Sequence, residues 1–175
     1  MMKILVTGAN GQLGTETVSL LSQDGDYEVR AFDRQELDIT NAEQVMKKVC
    51  DFRPDWILHC AAYTNVEQAE GDGLEANWKI NREGSVNISK AAHEVGAKLM
   101  TISTDYVFDG RKTSPYTPED EPNPLNEYGK AKLAGEQAVR YYCPDAYIIR
   151  TSWVFGEHGQ NFVYTMLKSE ERKNV

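Results

Sequence analysis

The sequence predicts a doubly wound α/β fold, in which helices pack on both faces of one parallel sheet. Three observations support this fold class. The chain opens with a short apolar run that leads directly into a glycine-rich turn. Apolar runs and helical patterns then alternate along the sequence, which is typical of βα units and a parallel sheet. The chain has 175 residues, of which 41% are hydrophobic, and this is enough to bury the core of one globular domain.

Five strands and four helices follow from this alternation. The strands are predicted at 3–7, 28–32, 56–60, 98–103 and 147–150. The helices are predicted at 12–22, 42–52, 75–95 and 126–142, and a further helical pattern covers 161–175. The stretch 109–124 is rich in Pro, Gly, Asp and Glu, and we expect it to be a surface excursion close to the site.

Capping and breaking residues set the ends of the predicted helices. Thr40, followed three residues later by Glu43, matches a capping box at the start of the second helix. Pro54 ends that helix before the third strand. Gly96 is predicted to end the third helix, because glycine tolerates the left-handed conformation found there.

Composition excludes several classes of partner. The formal net charge of −8 argues against a general affinity for nucleic acid or for an anionic membrane. No apolar stretch approaches the roughly 20 residues of a membrane span, and the first apolar run fits a strand better than a leader peptide. Cys50, Cys60 and Cys143 are expected to be free thiols in a reducing compartment. We therefore expect a cytoplasmic protein.

The glycine-rich turn predicts a dinucleotide site. Gly8 and Gly11 would let the backbone turn and approach a pyrophosphate, and Gly14 would let the first helix lie close to the first strand. The spacing G-x-x-G-x-x-G is one residue longer than the common G-x-G-x-x-G pattern. We interpret it as the turn of a Rossmann fold that binds NADPH or NADH; an ordinary glycine turn is the alternative.

Acidic residues after the second strand fit the adenosine half of such a cofactor. Asp33 stands where a carboxylate accepts hydrogen bonds from the ribose, although a turn-capping aspartate would look the same. Arg34 could instead pair with the 2′-phosphate of NADPH, so the sequence does not separate the two coenzymes. Asp38 and Ile39 fall where the following loop would pass the adenine.

The pair Tyr128 and Lys132 carries the predicted chemistry. The two residues are four positions apart on one predicted helix and therefore share a face. An ammonium beside a phenol favours the phenolate and lowers the pKa of the phenol, which then exchanges its proton near neutral pH. Thr104, at the end of the fourth strand, could bond a substrate carbonyl. Ser103 is the weaker candidate for that role and could contact the cofactor instead.

Other polar residues are assigned to structure. His59 lies within an apolar strand and is expected to be a packed core histidine. No His, Cys or Asp cluster has metal-ligand spacing, and the acidic run 119–121 fits a solvated loop.

With these residues in place, the chain resembles the extended short-chain dehydrogenase/reductases and, among them, the dTDP-4-dehydrorhamnose reductase family. The resemblance spans essentially the whole chain. Its more specific segments are Cys-Ala-Ala-Tyr-Thr at 60–64, Ser-Thr-Asp-Tyr-Val-Phe at 103–108, Tyr-Gly-Lys-Ala-Lys-Leu-Ala-Gly-Glu at 128–136 and Arg-Thr-Ser-Trp-Val-Phe-Gly at 150–156.

This resemblance implies a reaction and a set of contacts. The reaction is the NAD(P)H-dependent reduction of a 4-keto-6-deoxy sugar nucleotide, dTDP-4-dehydro-L-rhamnose, to dTDP-L-rhamnose for polysaccharide biosynthesis. Substrate contacts are implied at Thr104, Asp105 and Trp153. Cofactor contacts are implied at Gly11, Gln12, Leu13, Asp33, Asp38, Ile39, Ala62, Tyr63, Thr64, Tyr128 and Lys132. The resemblance alone suggests Mg²⁺ as a further cofactor. The sequence does not decide whether the chain forms a homodimer.

Two further expectations concern the extent of the chain and its role. Members of this family run on well beyond this length, so residues 1–175 are expected to be a dinucleotide-binding domain with the catalytic Tyr/Lys pair and without a C-terminal substrate lobe. Two other functions stay open. One is a non-catalytic subunit resembling the regulatory subunit of methionine adenosyltransferase; the other is a sugar-nucleotide epimerase or dehydratase.

Overall fold

A computed structural model describes residues 1–171 and contains one sheet of five parallel strands in the order β2-β1-β3-β4-β5. The strands are β1 Met2–Thr7, β2 Tyr27–Phe32, β3 Trp56–His59, β4 Lys98–Thr104 and β5 Tyr147–Thr151. The predicted α/β fold is therefore confirmed. β4 continues one residue beyond its predicted end, so that Thr104 closes the strand.

The first five helices lie between strands, as predicted, and the sixth follows β5. They are α1 Gln12–Leu21, α2 Ala42–Phe52, α3 Leu74–Trp78, α4 Ser85–Val95, α5 Glu127–Tyr142 and α6 Phe162–Glu171. The predicted helix over 75–95 is interrupted by a π-helical segment, Lys79–Gly84, between α3 and α4. Of the predicted final helix over 161–175, residues 172–175 lie outside the described residues.

The core is centred on the three middle strands. Leu5, Ile57 and Leu99 lie side by side in register on β1, β3 and β4, and each is at most 1% exposed. Helices α2 and α4 cover them with Val45, Val49, Phe52, Ile88, Ala91 and Ala92. Burying one such aliphatic side chain contributes about 1.5–3 kcal/mol. This core fixes the positions of the strand ends, where the cleft lies.

The predicted cap of α2 is wrong by one residue. Asn41 is the N-cap, and its side-chain oxygen accepts the backbone N–H of Gln44 at 3.0 Å. Thr40 instead donates its hydroxyl to Asp38 at 2.8 Å. Asparagine is as good an N-cap as threonine. Because the Thr40 hydroxyl is bonded to Asp38, Asn41 caps the helix instead.

The two left-handed helix ends make a matched test of backbone strain. Gly96 ends α4 at φ +73, as predicted, whereas Arg53 ends α2 at φ +50 with a side chain that this conformation disfavours. We expect Arg53→Gly to stabilise the protein by about 0.5–1 kcal/mol and Gly96→Ala to destabilise it by about 1 kcal/mol. Urea unfolding of both variants measures this, and a destabilised Arg53→Gly would contradict it.

Candidate active site

A cleft of about 910 Å³ opens at the carboxyl ends of the strands. It lies where the chain, having placed β2 on one side of β1, returns to place β3 on the other side, which is where doubly wound sheets bind ligands. All the site residues predicted from the sequence line this cleft. They are Gly8, Gly11, Gln12, Leu13, Gly14, Asp33, Asp38, Ile39, Ala62, Tyr63, Thr64, Thr104, Asp105, Tyr128, Lys132 and Trp153.

The glycine turn has the shape of a phosphate cradle. Gly8 has φ +70, and a Cβ there would lie 2.7 Å from the Cα of Ala61. A Cβ on Gly14 would overlap the carbonyl oxygen of Gly8. Gly11 caps α1 without a side-chain hydrogen bond, so no capping side chain covers the start of this ten-residue helix. The turn therefore fits a pyrophosphate on the helix N-terminus.

Two carboxylates shape the loop after β2. One oxygen of Asp33 accepts the backbone N–H groups of Gln35 and Glu36 at 2.8 and 3.0 Å, and the other accepts the Asn10 amide at 2.8 Å. Asp38 accepts both the N–H and the hydroxyl of Thr40, and these hydrogen bonds lower the pKa of Asp38. The end of the cleft beside β2 thus carries two carboxylates that local hydrogen bonds hold in place.

Two buried asparagines, which the sequence analysis missed, hold the loop after β3. Asn81 accepts the N–H of Tyr63 at 3.0 Å and donates to its carbonyl at 2.9 Å. It also donates to Asn77, which donates in turn to the carbonyl of Glu127 at 2.9 Å. The loop of residues 61–64 is therefore connected to the first turn of α5, beside Tyr128. The i, i+4 spacing of two asparagines within a helical pattern was the available signal.

Tyr128 and Lys132 face the end of β4. Lys132 is buried and donates from Nζ to the carbonyl of Ile102 at 2.7 Å. Burial lowers the pKa of Lys132 to about 8, and the charge of Glu136 opposes that change. Burial raises the pKa of Tyr128, and a hydrogen bond with the Thr104 hydroxyl opposes that change. The phenol and the Thr104 hydroxyl thus lie together at the strand end.

The net pKa change of Tyr128 is opposite in direction to the one that the sequence predicted. The sequence predicted that the ammonium lowers the pKa of the phenol, but burial dominates and raises it. The ammonium is engaged by the Ile102 carbonyl. Helical spacing places two residues on one face, but it carries no information on how deeply each is buried.

The third strand supplies no group that titrates near neutral pH. His59 is buried, its Nδ1 lies 2.7 Å from the hydroxyl of Thr7, and burial lowers its pKa to about 3. Burial raises the pKa of the Cys60 thiol to about 11. His59 is therefore neutral and structural, as the sequence predicted.

Ser103 lines the cleft, and its hydroxyl already has an acceptor. It donates to the buried carboxylate of Glu136, which also accepts Nε and Nη2 of Arg150 at 3.0 and 2.7 Å. A contact between Ser103 and a cofactor stays a prediction, since Ser103 lines the cleft. Glu136 and Arg150 were missed, although Glu136 stands one helical turn after Lys132.

Aromatic residues lie at the open mouth of the cleft. Trp153 has φ +53 and is 73% exposed, and its ring meets that of Phe162 edge-on at 5.0 Å between centroids. Together with Phe155 and Val163 it lines a second, smaller hollow. The same segment returns to α1, where Nδ1 of His158 lies 2.8 Å from the Glu16 carboxylate. The mouth therefore carries an apolar surface next to the glycine turn.

Residues 1–171 lack both a metal cluster and a membrane-spanning helix. No three His, Cys, Asp or Glu side chains in that part of the chain come together so that they could hold a metal ion. No helix in the same range is long and apolar enough to cross a membrane.

Two relatives cover nearly all of this chain. It is 42% identical over 175 residues to dTDP-4-dehydrorhamnose reductase of Aggregatibacter actinomycetemcomitans, covering 100% of this chain and 59% of that protein. It is 43% identical over 173 residues to the spore coat polysaccharide biosynthesis protein SpsK of Bacillus subtilis, covering 99% of this chain and 60% of that protein. The chain thus spans about three fifths of the length of these relatives.

A solved structure and a family model agree with this similarity. The crystal structure of dTDP-4-dehydrorhamnose reductase from Bacillus anthracis in complex with NADP superposes with a TM-score of 0.94 at 44% identity, covering 98% of this chain and 61% of that one. The family model described as the RmlD substrate binding domain matches residues 2–175. On this match, the chain belongs to the RmlD substrate binding domain family.

Proposed function

We propose that the cleft binds NADPH or NADH and that its residues reduce the 4-keto group of dTDP-4-dehydro-L-rhamnose to give dTDP-L-rhamnose. The observation that carries this proposal is the meeting of Tyr128 and Thr104 at the end of β4, with buried Lys132 one turn away, in the same cleft as the glycine turn. The names of the relatives support this substrate, and SpsK supports a product used in polysaccharide biosynthesis.

The shape of the glycine turn suggests which residues would bind the cofactor. The N–H groups of Gln12 and Leu13 would receive the pyrophosphate, since the Gly11 N–H already donates to the Gly8 carbonyl at 2.9 Å, and Asp33 would accept the adenosine ribose hydroxyls. Lys132 would donate to the nicotinamide ribose. The NADP bound in the Bacillus anthracis structure supports this assignment. When bound, the reduced nicotinamide supplies the hydride that the carbonyl carbon accepts.

Residues of this chain would transfer the proton. The raised pKa of Tyr128 keeps the phenol protonated at neutral pH, so that it can donate to the carbonyl oxygen as the hydride adds to the carbon. Thr104 would donate a hydrogen bond to the same oxygen and stabilise its developing charge. The ammonium of Lys132 would stabilise the phenolate that remains, and water returns its proton. Tyr128, Lys132 and Thr104 are thus the proposed catalytic residues, with Asp105 and Trp153 contacting the sugar.

We further propose that residues 1–175 act as the dinucleotide-binding domain. The complete binding site for the sugar nucleotide would include further residues. The greater length of the relatives supports this. So does the exposed apolar surface of Trp153, Phe155 and Phe162 at the cleft mouth, since contiguous exposed patches of this kind mark interaction surfaces.

The test separates binding from turnover. Calorimetric titration of the 175-residue chain with NADPH and with NADH should give one site per chain, and the tighter ligand identifies the preferred coenzyme. In the full protein that carries this sequence, absorbance at the nicotinamide band should fall only when dTDP-4-dehydro-L-rhamnose is added.

Two outcomes would contradict the reductase assignment. Conversion of the sugar nucleotide without net loss of NADPH would indicate an epimerase or a dehydratase. Coenzyme binding with no conversion of the keto sugar at any pH would indicate a binding subunit.

A further inference from the structure

A buried carboxylate outside the cleft is the strongest feature that the proposed mechanism does not use. Glu136 lies on α5 one turn after Lys132, and its side chain is only 2% exposed. It accepts three hydrogen bonds, from the Ser103 hydroxyl on β4 and from two nitrogens of Arg150 on β5. One acidic side chain therefore joins the helix that carries Tyr128 and Lys132 to two strand ends.

Buried ion pairs of this kind often contribute little net stability. Desolvating an ion costs several kcal/mol, and a buried pair often contributes no more than apolar residues of the same volume. Moreover, the pairing is incomplete, because among residues 1–171 the buried Nη1 of Arg150 has no hydrogen-bond partner. A negative charge is thus retained here at a cost, next to the proposed catalytic lysine.

The surroundings of Lys132 contain little else that favours its charged form. From β3 it faces His59, which is neutral because burial lowers its pKa to about 3. From β4 it meets the Ile102 carbonyl, and on its own helix it has Tyr128 and Glu136. β5 contributes Arg150, a cation bound to Glu136. Among these groups, Glu136 is the anion whose charge raises the pKa of Lys132 against the effect of burial.

Glu136 also controls the strand end. Ser103, whose hydroxyl it accepts, stands on β4 between Ile102, whose carbonyl accepts from Lys132, and Thr104, which is proposed to bond the substrate oxygen. Movement of this carboxylate would therefore disturb both the lysine and the threonine.

We propose that Glu136 is a positioning residue for the proposed reduction: its buried carboxylate, one helical turn from Lys132, fixes the end of β4 against α5 through Ser103 and places a negative charge on the side of Lys132. The role of Glu136 in the reduction rests on the proposed function. The charge effect on Lys132 is a property of the chain itself and can be measured without turnover.

The first experiment titrates Lys132 directly. The 175-residue chain is labelled with ¹³Cε-lysine, and the Lys132 signal is assigned with the variant Lys132→Met. In the parent chain we expect a midpoint near pH 8. In Glu136→Gln, which keeps the side-chain shape but removes the charge, we expect the midpoint to fall by about one pH unit. Glu94→Gln, on the exposed surface of α4, makes the same change of net charge far from the site and should leave the midpoint in place.

The second experiment follows the pH profile of kcat in the full protein. If Lys132 must be charged for turnover, the alkaline limb moves to lower pH in Glu136→Gln, so the loss of kcat should be larger at pH 8.5 than at pH 6.5. Ser103→Ala keeps the charge, so it should lower kcat with the limb unmoved. A purely structural role would lower kcat equally at all pH values.

Each result decides the inference. An unmoved Lys132 midpoint in folded Glu136→Gln overturns it, whereas a shifted midpoint in a protein that reduces no keto sugar overturns only the proposed function. If Glu136→Gln does not fold, Glu136→Asp is measured in its place. Its shorter side chain places the carboxylate farther from Lys132. The midpoint should then fall by a smaller amount, and an unmoved midpoint in Glu136→Asp would equally overturn the inference.

Discussion

Replacing Tyr128 by Phe is expected to lower kcat at least about 100-fold, because a positioned general acid contributes about 10²–10⁴-fold to the rate. The substitution removes one hydroxyl and keeps the ring that packs edge-on against Tyr106 at 5.7 Å between centroids. Coenzyme affinity should therefore change little. Steady-state kinetics of the full protein, with calorimetric titration of NADPH, measure the two effects separately.

The matched control is Tyr141→Phe. Tyr141 lies on the same helix and is 78% exposed, so the identical chemical change there should leave both kcat and coenzyme affinity unaltered. Near-normal turnover by Tyr128→Phe would reject Tyr128 as the proton donor. Equal losses in both variants would mean that the effect arises from α5 as a whole.

The second large effect is expected at the glycine turn. In Gly14→Ala the new Cβ would overlap the carbonyl oxygen of Gly8, and a backbone atom cannot move aside as a flexible side chain can. Overpacking of this kind costs about 1–3 kcal/mol. Since relief of the overlap must displace the turn that would hold the pyrophosphate, coenzyme affinity should fall at least about tenfold, which corresponds to about 1.4 kcal/mol.

Gly25→Ala provides the comparison. A Cβ at Gly25 meets no atom within 4 Å, so both the melting temperature and the coenzyme affinity should stay near those of the parent chain. The measurements are thermal unfolding and calorimetric titration of the 175-residue chain. Undiminished binding by Gly14→Ala would show that the coenzyme does not use this turn.

Local patterns in the sequence were sufficient to predict the parts of the cleft that depend on neighbours along the chain. The glycine turn is one continuous segment, and the spacing of Tyr128 and Lys132 places them on one face of α5 whatever surrounds the helix. The alternation of short apolar runs with helical patterns predicted the parallel sheet, because a helix between two strands returns the chain to the same end of the sheet.

The missed features depend on contacts between distant segments. Asn81 interacts with Tyr63, 18 residues away, and Ser103 with Glu136, 33 residues away. No spacing rule in one sequence reports such pairs. The direction of the pKa change of Tyr128 was wrong for a related reason, since burial depends on the packing of the whole domain.

The hydroxyl of Thr104 already has partners: it donates to the Asp105 carboxylate at 3.1 Å and accepts the N–H of Tyr106 at 3.2 Å. A ketone oxygen that engages this hydroxyl therefore exchanges one hydrogen bond for another, and the exchange contributes little to ground-state affinity. The gain comes as negative charge develops on that oxygen, so this contact acts on the barrier rather than on occupancy.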